Sequence, residues 1–414
     1  MTGGITERRI DAVQAFANTV TVSGRCCSAC MSEDTRIFYE VEGVPTQQVT
    51  LMKTREEALA CPKGDLRLAV CNACGFIWNS AFDPALLDYQ GDYEATQAHS
   101  PTFNAFHKRL AEDMVERYGL RGKDVIEIGC GHGECVAILC EQGVKSATGF
   151  DPVILDTAPP HPNAKLVAEF YTEAHEHLKP DFAFSKMVME HIPDPHRFLT
   201  MLRRAIGDRP EAIAFAMMPD GGRVLSIRAF WDIYYEHCAY FTLGALARTF
   251  RASGFDVTGL STAYGGQYAM ISARPSLGDS QVTRLPEEET VEETLAMVAD
   301  FEEKVRADRA HWQNWINERL DSGKRIVLWG GGSKAVAFLS SLDLKDGIDY
   351  AVDINPKRCG TFLAGVGQEI VTPATLIEQR PDHVIVMNPI YMDEIRADLR
   401  SMDLDPEMVP METL

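Results

Sequence analysis

Five short apolar runs recur along the middle of the chain, Val125–Ile128, Ala147–Phe150, Lys165–Ala168, Phe182–Met189 and Ala212–Met218, with helix-like stretches between them. Runs of this kind read as buried strands, and their alternation with helices predicts an α/β fold whose parallel sheet is covered on both faces. A helix-like stretch ending at Tyr118 leads into the first run, and Cys135, Val136, Ile138 and Leu139 follow it at helical spacing. The pattern returns near the C-terminus. Arg325–Ala335 reads as strand, glycine turn and helix, and Tyr350–Asp353 and His383–Met387 read as further strands. Between the two regions lies Pro275–Pro286, a connector rich in Ser, Gly, Asp and Pro. Glu287, Glu288 and Glu289 then open a long helix, with acids suiting its dipole. Val291, Leu295, Val298, Phe301 and Val305 share one face of that helix, and Trp312, Trp315 and Ile316 continue the core surface.

At 414 residues the chain is too long for one ordinary core. The composition shifts divide it into units 1–88, 89–280 and 281–414. Apolar content of 45% and charged content of 24% suit a soluble globular protein. The formal net charge of −20 shows no basic footprint, so nucleic acid is not an expected partner. No run approaches the ~18 apolar residues of a membrane span. Met1–Phe16 carries charges throughout and lacks the apolar core of a signal peptide, which points to the cytoplasm.

Eleven cysteines, an odd number, argue against a disulfide framework. Four of them form two pairs, Cys27-x-x-Cys30 and Cys71-x-x-Cys74. Two residues between thiolates let one turn supply two tetrahedral ligands, and Gly75 permits the bend of a zinc knuckle. The second pair follows a strand-like run, Leu66–Val70. The stretch between the pairs exceeds the usual ribbon spacing, Cys26 is a competing ligand, and Cys61 is a weaker one. The expected ion is a structural Zn²⁺ that folds a small N-terminal unit.

Ligands in open parallel sheets sit beyond the carboxyl ends of the strands. Three loops fall there: the turn after Ile128, the loop after Ala168 with Glu169 and Phe170, and Glu190-His191-Ile192-Pro193-Asp194. The first reads V-I-E-I-G-C-G-H-G-E, with Glu127 ahead of Gly129, Gly131 and Gly133. Asp151 ends the next strand, where a carboxylate can grip ribose hydroxyls. The spacing E-x-G-x-G-x-G resembles motif I of the class I S-adenosylmethionine (SAM) methyltransferases. That resemblance implies that Glu127, Gly129, Gly131, Gly133, Asp151, Glu169 and Phe170 bind SAM.

Further chemistry is concentrated in three segments. F-W-D-I-Y-Y-E-H-C-A-Y-F-T, Phe230 to Thr242, sets Tyr234, Glu236 and His237 among aromatics. Such surroundings can hold an imidazole dry, oriented and near neutral pKa, as a general base requires. The plainer reading is an amphipathic helix with His237 and Glu236 on its surface. Tyr89–Phe106 is polar and aromatic, with Asp92, Tyr93, His99 and Ser100. The turn Gly330-Gly331-Gly332-Ser333 can present backbone donors to phosphates, with Lys334 adding charge, or can serve packing alone.

Taken in order, the Cys-rich start, E-I-G-C-G-H-G, M-E-H-I-P-D-P and Y-Y-E-H-C-A-Y-F-T resemble the sugar C-methyltransferases, from Cys26 to Leu399. The resemblance implies an N-terminal zinc-binding domain, a central Rossmann-like SAM-methyltransferase domain and a C-terminal Rossmann-like domain. It implies C-methylation of a keto-sugar, a deoxysugar on a nucleotide carrier. His237 would act as base, Glu236 would orient it or bind substrate hydroxyls, and Tyr234 and Tyr93 would donate to the enolate oxygen. Tyr93 is preferred to Tyr89 for that role. His191 would assist from the cofactor side, or only cap a helix or shape the pocket. Gly331, Ser333 and Lys334 would meet the nucleotide. The family phrase is Y-H-E-H, and Tyr235 in place of its first histidine puts the substrate in question. An O- or N-methyltransferase and a non-enzymatic scaffold that keeps the SAM fold are the rival readings.

Overall fold

The structure is a computed structural model that describes residues 26–87, 93–94, 96–154, 158–278, 283–344 and 347–412. The expectations on Met1–Phe16, Tyr89 and Asp92 lie outside the described residues. Three antiparallel strands come first: β1 (Thr35–Pro45), β2 (Lys63–Cys71) and β3 (Ile77–Asn79). The turn between β2 and β3 carries the second cysteine pair, and Gly75 takes φ +76 there, the left-handed region that favours glycine.

The middle of the chain builds a seven-stranded sheet. Its strands are β4 (Asp124–Ile128), β5 (Ser146–Phe150), β6 (Ala164–Val167), β7 (Phe182–Lys186) and β8 (Ile213–Pro219), all parallel. β9 (Ala239–Tyr240) leaves this sheet and pairs with β3, so the N-terminal sheet is completed from the centre of the chain. β10 (Phe255–Ala263) and β11 (Tyr268–Pro275) close the other edge as an antiparallel pair against β8. The spatial order β10-β11-β8-β7-β4-β5-β6 reverses direction at β4. A crevice therefore opens beyond the carboxyl ends of β4 and β7.

The expected run Phe182–Met189 ends as a strand at Lys186; a 3₁₀ turn, Met189–His191, takes over. The amphipathic-helix reading of Phe230–Thr242 is not what forms. A 3₁₀ turn at Phe230–Asp232 and the short β9 occupy that stretch.

A second parallel sheet follows, in the order β14-β13-β12-β15-β16. Its strands are β12 (Ile326–Trp329), β13 (Tyr350–Val352), β14 (Glu369–Val371), β15 (His383–Val386) and β16 (Glu407–Pro410). The long helix runs over Val291–Asp321 and buries Val298, Phe301, Val305, Trp312 and Ile316. Phe301 meets Phe38 and Tyr39 of β1, and Trp312 meets Phe338 of the C-terminal unit, so one apolar stripe serves two cores. The glutamates before this helix do not form its first turn. Thr290 caps it in a capping box with Glu293. Glu288 pairs with Arg251, and Glu289 accepts the backbone N–H groups of Gly244 and Ala245, capping the helix Leu243–Ala252. Among the described residues no helix is long and apolar enough to cross a membrane.

Tyr235 is wholly buried against the N-terminal sheet. Its hydroxyl accepts from the Asp83 N–H at 2.8 Å and its ring lies on Phe82. A Cβ on Gly64 would fall 2.3 Å from that ring, so Gly64 is small because Tyr235 is large. The departure from the family phrase therefore faces away from the crevice and acts on packing. Tyr235→Phe is expected to lower stability by about 1 kcal/mol, read as a fall in the thermal midpoint. An unchanged midpoint would show that the bond contributes nothing.

Candidate functional site

A single cavity of about 1610 Å³ runs from the turn after β4 to the turn after β12. Gly129, Gly131, Asp151, Glu169 and Phe170 line one end, and Ser333 and Lys334 the other. Tyr93, His191, Tyr234, Glu236 and His237 line the stretch between them. Segments far apart in sequence thus meet on one surface. Gly133 and Gly331 stand back from it. A Cβ on Gly133 would lie 2.8 Å from Leu166, and one on Gly331 would lie 3.0 Å from Ile370. Close packing of helix on sheet is what their size permits.

At the first turn a Cβ on Gly129 would lie 2.2 Å from Val188, so the turn lies flush against the segment after β7. Asp151 accepts the Gly131 N–H at 2.8 Å and the Val153 N–H at 3.0 Å. Burial raises its pKa despite these bonds. Each carboxylate oxygen keeps a further lone pair for a hydroxyl donor. Glu127 is buried and pairs with Lys186 at 2.8 Å, while its Oε2 has no partner. Lys186 also donates to His107 Nε2 at 3.0 Å, and burial with that nearby charge lowers His107 to about 4. No motif marks Lys186, which reads as the end of an apolar strand. Glu169 holds its side chain largely in solvent, 3.9 Å from His175.

The middle of the cavity is a buried cluster of acids, imidazoles and phenols. The rings of Tyr234 and His237 meet at a 45° tilt with centroids 4.1 Å apart, and His191 meets His237 edge-on at 4.9 Å. His191 Nδ1–H donates to the Glu236 carbonyl at 2.8 Å, which fixes its tautomer and leaves Nε2 with a lone pair. Burial holds His191 down at about 4 and His237 well below its ordinary value, helped by His191 and Lys334. Burial pushes Glu190 and Glu236 up to about 8. At neutral pH the cluster is therefore mostly uncharged. Tyr93, bridged to Thr50, also lines the cavity. The sequence marked Glu190 only as part of a loop, because nothing local says that its carboxyl is buried.

The far turn repeats the device of the first. Gly331 N–H donates to Asp353 at 3.0 Å, as Gly131 does to Asp151. Lys334 forms an ion pair with Asp232, which also lies 3.8 Å from Arg223, so its charge is shared with the protein. Arg358 is buried and donates to the Gly331 carbonyl at 2.8 Å and to the Glu94 carbonyl.

Away from the cavity, the Sγ atoms of Cys27, Cys30, Cys71 and Cys74 all lie within 4.8 Å of one another. Cys27–Cys74 and Cys30–Cys71 are each 3.6 Å apart. Zn–S bonds of about 2.3 Å in a tetrahedron need sulfurs ~3.8 Å apart, so the quartet fits a structural zinc. Cys61 packs instead with Met52, Ala58 and Ala364, and Cys26 is not one of the four. Arg248 Nε donates to the Cys74 carbonyl at 2.8 Å and ties the knuckle to the central unit.

Residues 103–260 match the family model of a methyltransferase domain, and residues 262–405 that of a C-methyltransferase C-terminal domain. The C-methyltransferase NovU of Streptomyces niveus is 24% identical over 348 residues, covering 80% of this chain and 81% of NovU. Among solved structures, the 1,6-didemethyltoxoflavin-N1-methyltransferase of Burkholderia thailandensis is similar over 46% of this chain and 97% of its own, at 19% identity and a TM-score of 0.33. The magnesium protoporphyrin IX methyltransferase of Synechocystis is similar over 45% and 87%, at 15% identity and a TM-score of 0.32.

The thiolate geometry leads to a direct expectation. Purified full-length protein should carry one zinc per chain by elemental analysis, and Cys71→Ser should lose it and melt earlier. Protein free of zinc with an unaltered melting curve would overturn the assignment.

Proposed function

From those matches we propose that this SAM-dependent methyltransferase is a C-methyltransferase, acting on the carbon beside the ketone of a sugar, a deoxysugar held on a nucleotide carrier. The observation that carries this reading is His237: a buried, neutral imidazole in the cavity that runs between the two glycine turns. SAM supplies an electrophilic methyl group on a sulfonium, and Gly129, Gly131, Asp151, Glu169 and Phe170 are the residues that would hold it. Glu127 supports that end through Lys186.

A proton on carbon next to a ketone is weakly acidic, so its removal needs a base with a free lone pair and donors for the oxygen that gains charge. His237 is suited to be that base because burial keeps it unprotonated at physiological pH. The Tyr234 ring lies tilted against it, and burial keeps that phenol protonated as a hydrogen-bond donor. Tyr93 adds a second phenol to the cavity lining. Glu236 serves by its carbonyl, which orients His191, and by a carboxyl that faces sugar hydroxyls. Ser333, Lys334 and the turn at Gly331 support binding of the carrier, with Arg223 and Arg358 adding positive charge to that end. The zinc knuckle is structural in this reading. The three sheets support units 1–88, 89–280 and 281–414, with β9 completing the first from within the second.

Incubation with methyl-labelled SAM and a panel of nucleotide-linked keto-sugars tests the proposal. Label should appear on carbon, read by fragmentation in the mass spectrometer; a methyl on oxygen or nitrogen would refute C-methylation of the sugar. His237→Ala is expected to lower turnover by ~10²–10⁴-fold with SAM affinity near wild type. Asp151→Asn should instead weaken SAM binding by about tenfold to a hundredfold, measured by calorimetry. Full turnover by the His237 variant would remove it as the base.

A further inference from the structure

Proton removal by His237 would leave an imidazolium in a dry site. Burial, His191 and the charge of Lys334 all oppose that cation. The proton therefore needs an acceptor with higher affinity than His237. Glu190 stands in the 3₁₀ turn just beyond β7, with 2% of its surface exposed. One carboxylate oxygen of Glu190 and ring nitrogens of His191 and His237 all lie within 4.8 Å of one another. Its Oε2 is buried with no hydrogen-bond partner. No cation faces that carboxylate and its own backbone N–H is the one donor that favours its ionised form, so burial outweighs it and the group gains by taking a proton. Glu236 is no equivalent: a backbone N–H of Gln48 and the charge of Arg358 already favour its ionised form, and it is outside the group of three.

We propose that Glu190 is a positioning residue behind the base, taking the substrate's proton from His237 and returning the imidazole to neutrality. This rests on the C-methylation reading above. The α C–H bond breaks, its electron pair stays on carbon as the enolate, and the proton goes to His237. It then passes to the Glu190 carboxylate, leaving a neutral acid beside a neutral imidazole. The lone pair on His191 Nε2 offers the route onward to solvent, and His191 is the least buried of the three. One proton leaves for each methyl transferred, which balances the positive charge lost when a sulfonium becomes a thioether.

The direction of transfer agrees with the environment, since Glu190 sits near 8 and His237 well below 6.5. The other groups facing the cluster are Tyr234, Cys238 and Tyr268, which feel Glu190 and are all raised, with Lys334 beside His237 and Asp232 paired to Lys334. Those raised groups keep their protons while Glu190 titrates. Glu190 must be ionised when a cycle begins, so turnover should rise with pH through a midpoint near 8.

Two measurements on the full-length, zinc-loaded protein test this. Infrared difference titration needs no substrate: a protonated-carboxyl band should disappear with a midpoint near 8, and Glu190→Gln should remove its share while Glu236→Gln leaves that share in place. The second uses the keto-sugar accepted in the panel, deuterated at the reacting carbon. Glu190→Gln should lose the alkaline rise in turnover, slow the washout of deuterium into water by about tenfold or more through internal return, and leave the KM for SAM unchanged. Glu190→Asp, which keeps a carboxylate, should keep the alkaline rise, so a simple folding defect is recognisable. Absence of the infrared band, or a Glu190→Gln enzyme with wild-type pH profile and washout, would overturn the proposal. So would activation by an added divalent ion lost in Glu190→Gln, which would make the three groups a metal site. If no keto-sugar is methylated while the infrared band behaves as expected, the fault lies in the substrate reading and the protonation of Glu190 stands.

Discussion

The pairing of β9 with β3 is the constraint on which the site depends. Two residues, Ala239 and Tyr240, lie against Trp78 and Ile77. That contact anchors the preceding turn, which the His237 N–H closes on the Tyr234 carbonyl at 3.1 Å. Tyr234 and His237 then face the cavity, while Tyr235 turns the other way and closes on Asp83 and Phe82. The Tyr240 hydroxyl accepts the Tyr234 N–H at 3.2 Å and fixes the segment from within. A cysteine knuckle far from the cavity matters for the same reason, since it shapes the turn from which β3 departs.

Desolvation is the second organising influence. His191, His237, Glu190 and Glu236 line the same cavity, and burial is the largest cause that drives the imidazoles down and the carboxyls up. Each group is thereby favoured in its neutral form, so the low-dielectric cavity carries little charge at neutral pH. The cations of the cavity wall are treated differently. Lys186 is paired with Glu127 and Lys334 with Asp232, so each positive charge meets a carboxylate before any ligand arrives.

The two parallel sheets solve the same local problem in the same way. In each, a glycine turn leaves the first strand, and the aspartate ending the next strand accepts a backbone N–H from that turn. Asp151 and Asp353 therefore organise their turns as well as facing the cavity. The long helix Val291–Asp321 joins the systems, with Phe301 in the N-terminal core and Trp312 against the C-terminal one. The cavity between the two turns is in this sense an inter-unit space.

Hydrophobic periodicity alone was enough to locate the strands β4 to β8, the stripe on the long helix and both glycine turns, because burial on a strand or helix face leaves a local repeat. The paired cysteines were legible for a similar reason: one turn brings two thiols together. Other features left no local trace. Lys186 and Glu190 flank an apolar stretch and look unremarkable until β4 and the segment before β9 close over them. Glu288 and Glu289 appeared to begin a helix, whereas partners distant in sequence, Arg251 and the N–H groups at Gly244 and Ala245, claim them. Tyr235 seemed to bear on the ligand because neighbours in sequence were assumed to face the same way. Local order is thus written in residue spacing, but charge state, pairing and direction depend on what lies across the fold, and only tertiary packing decides those.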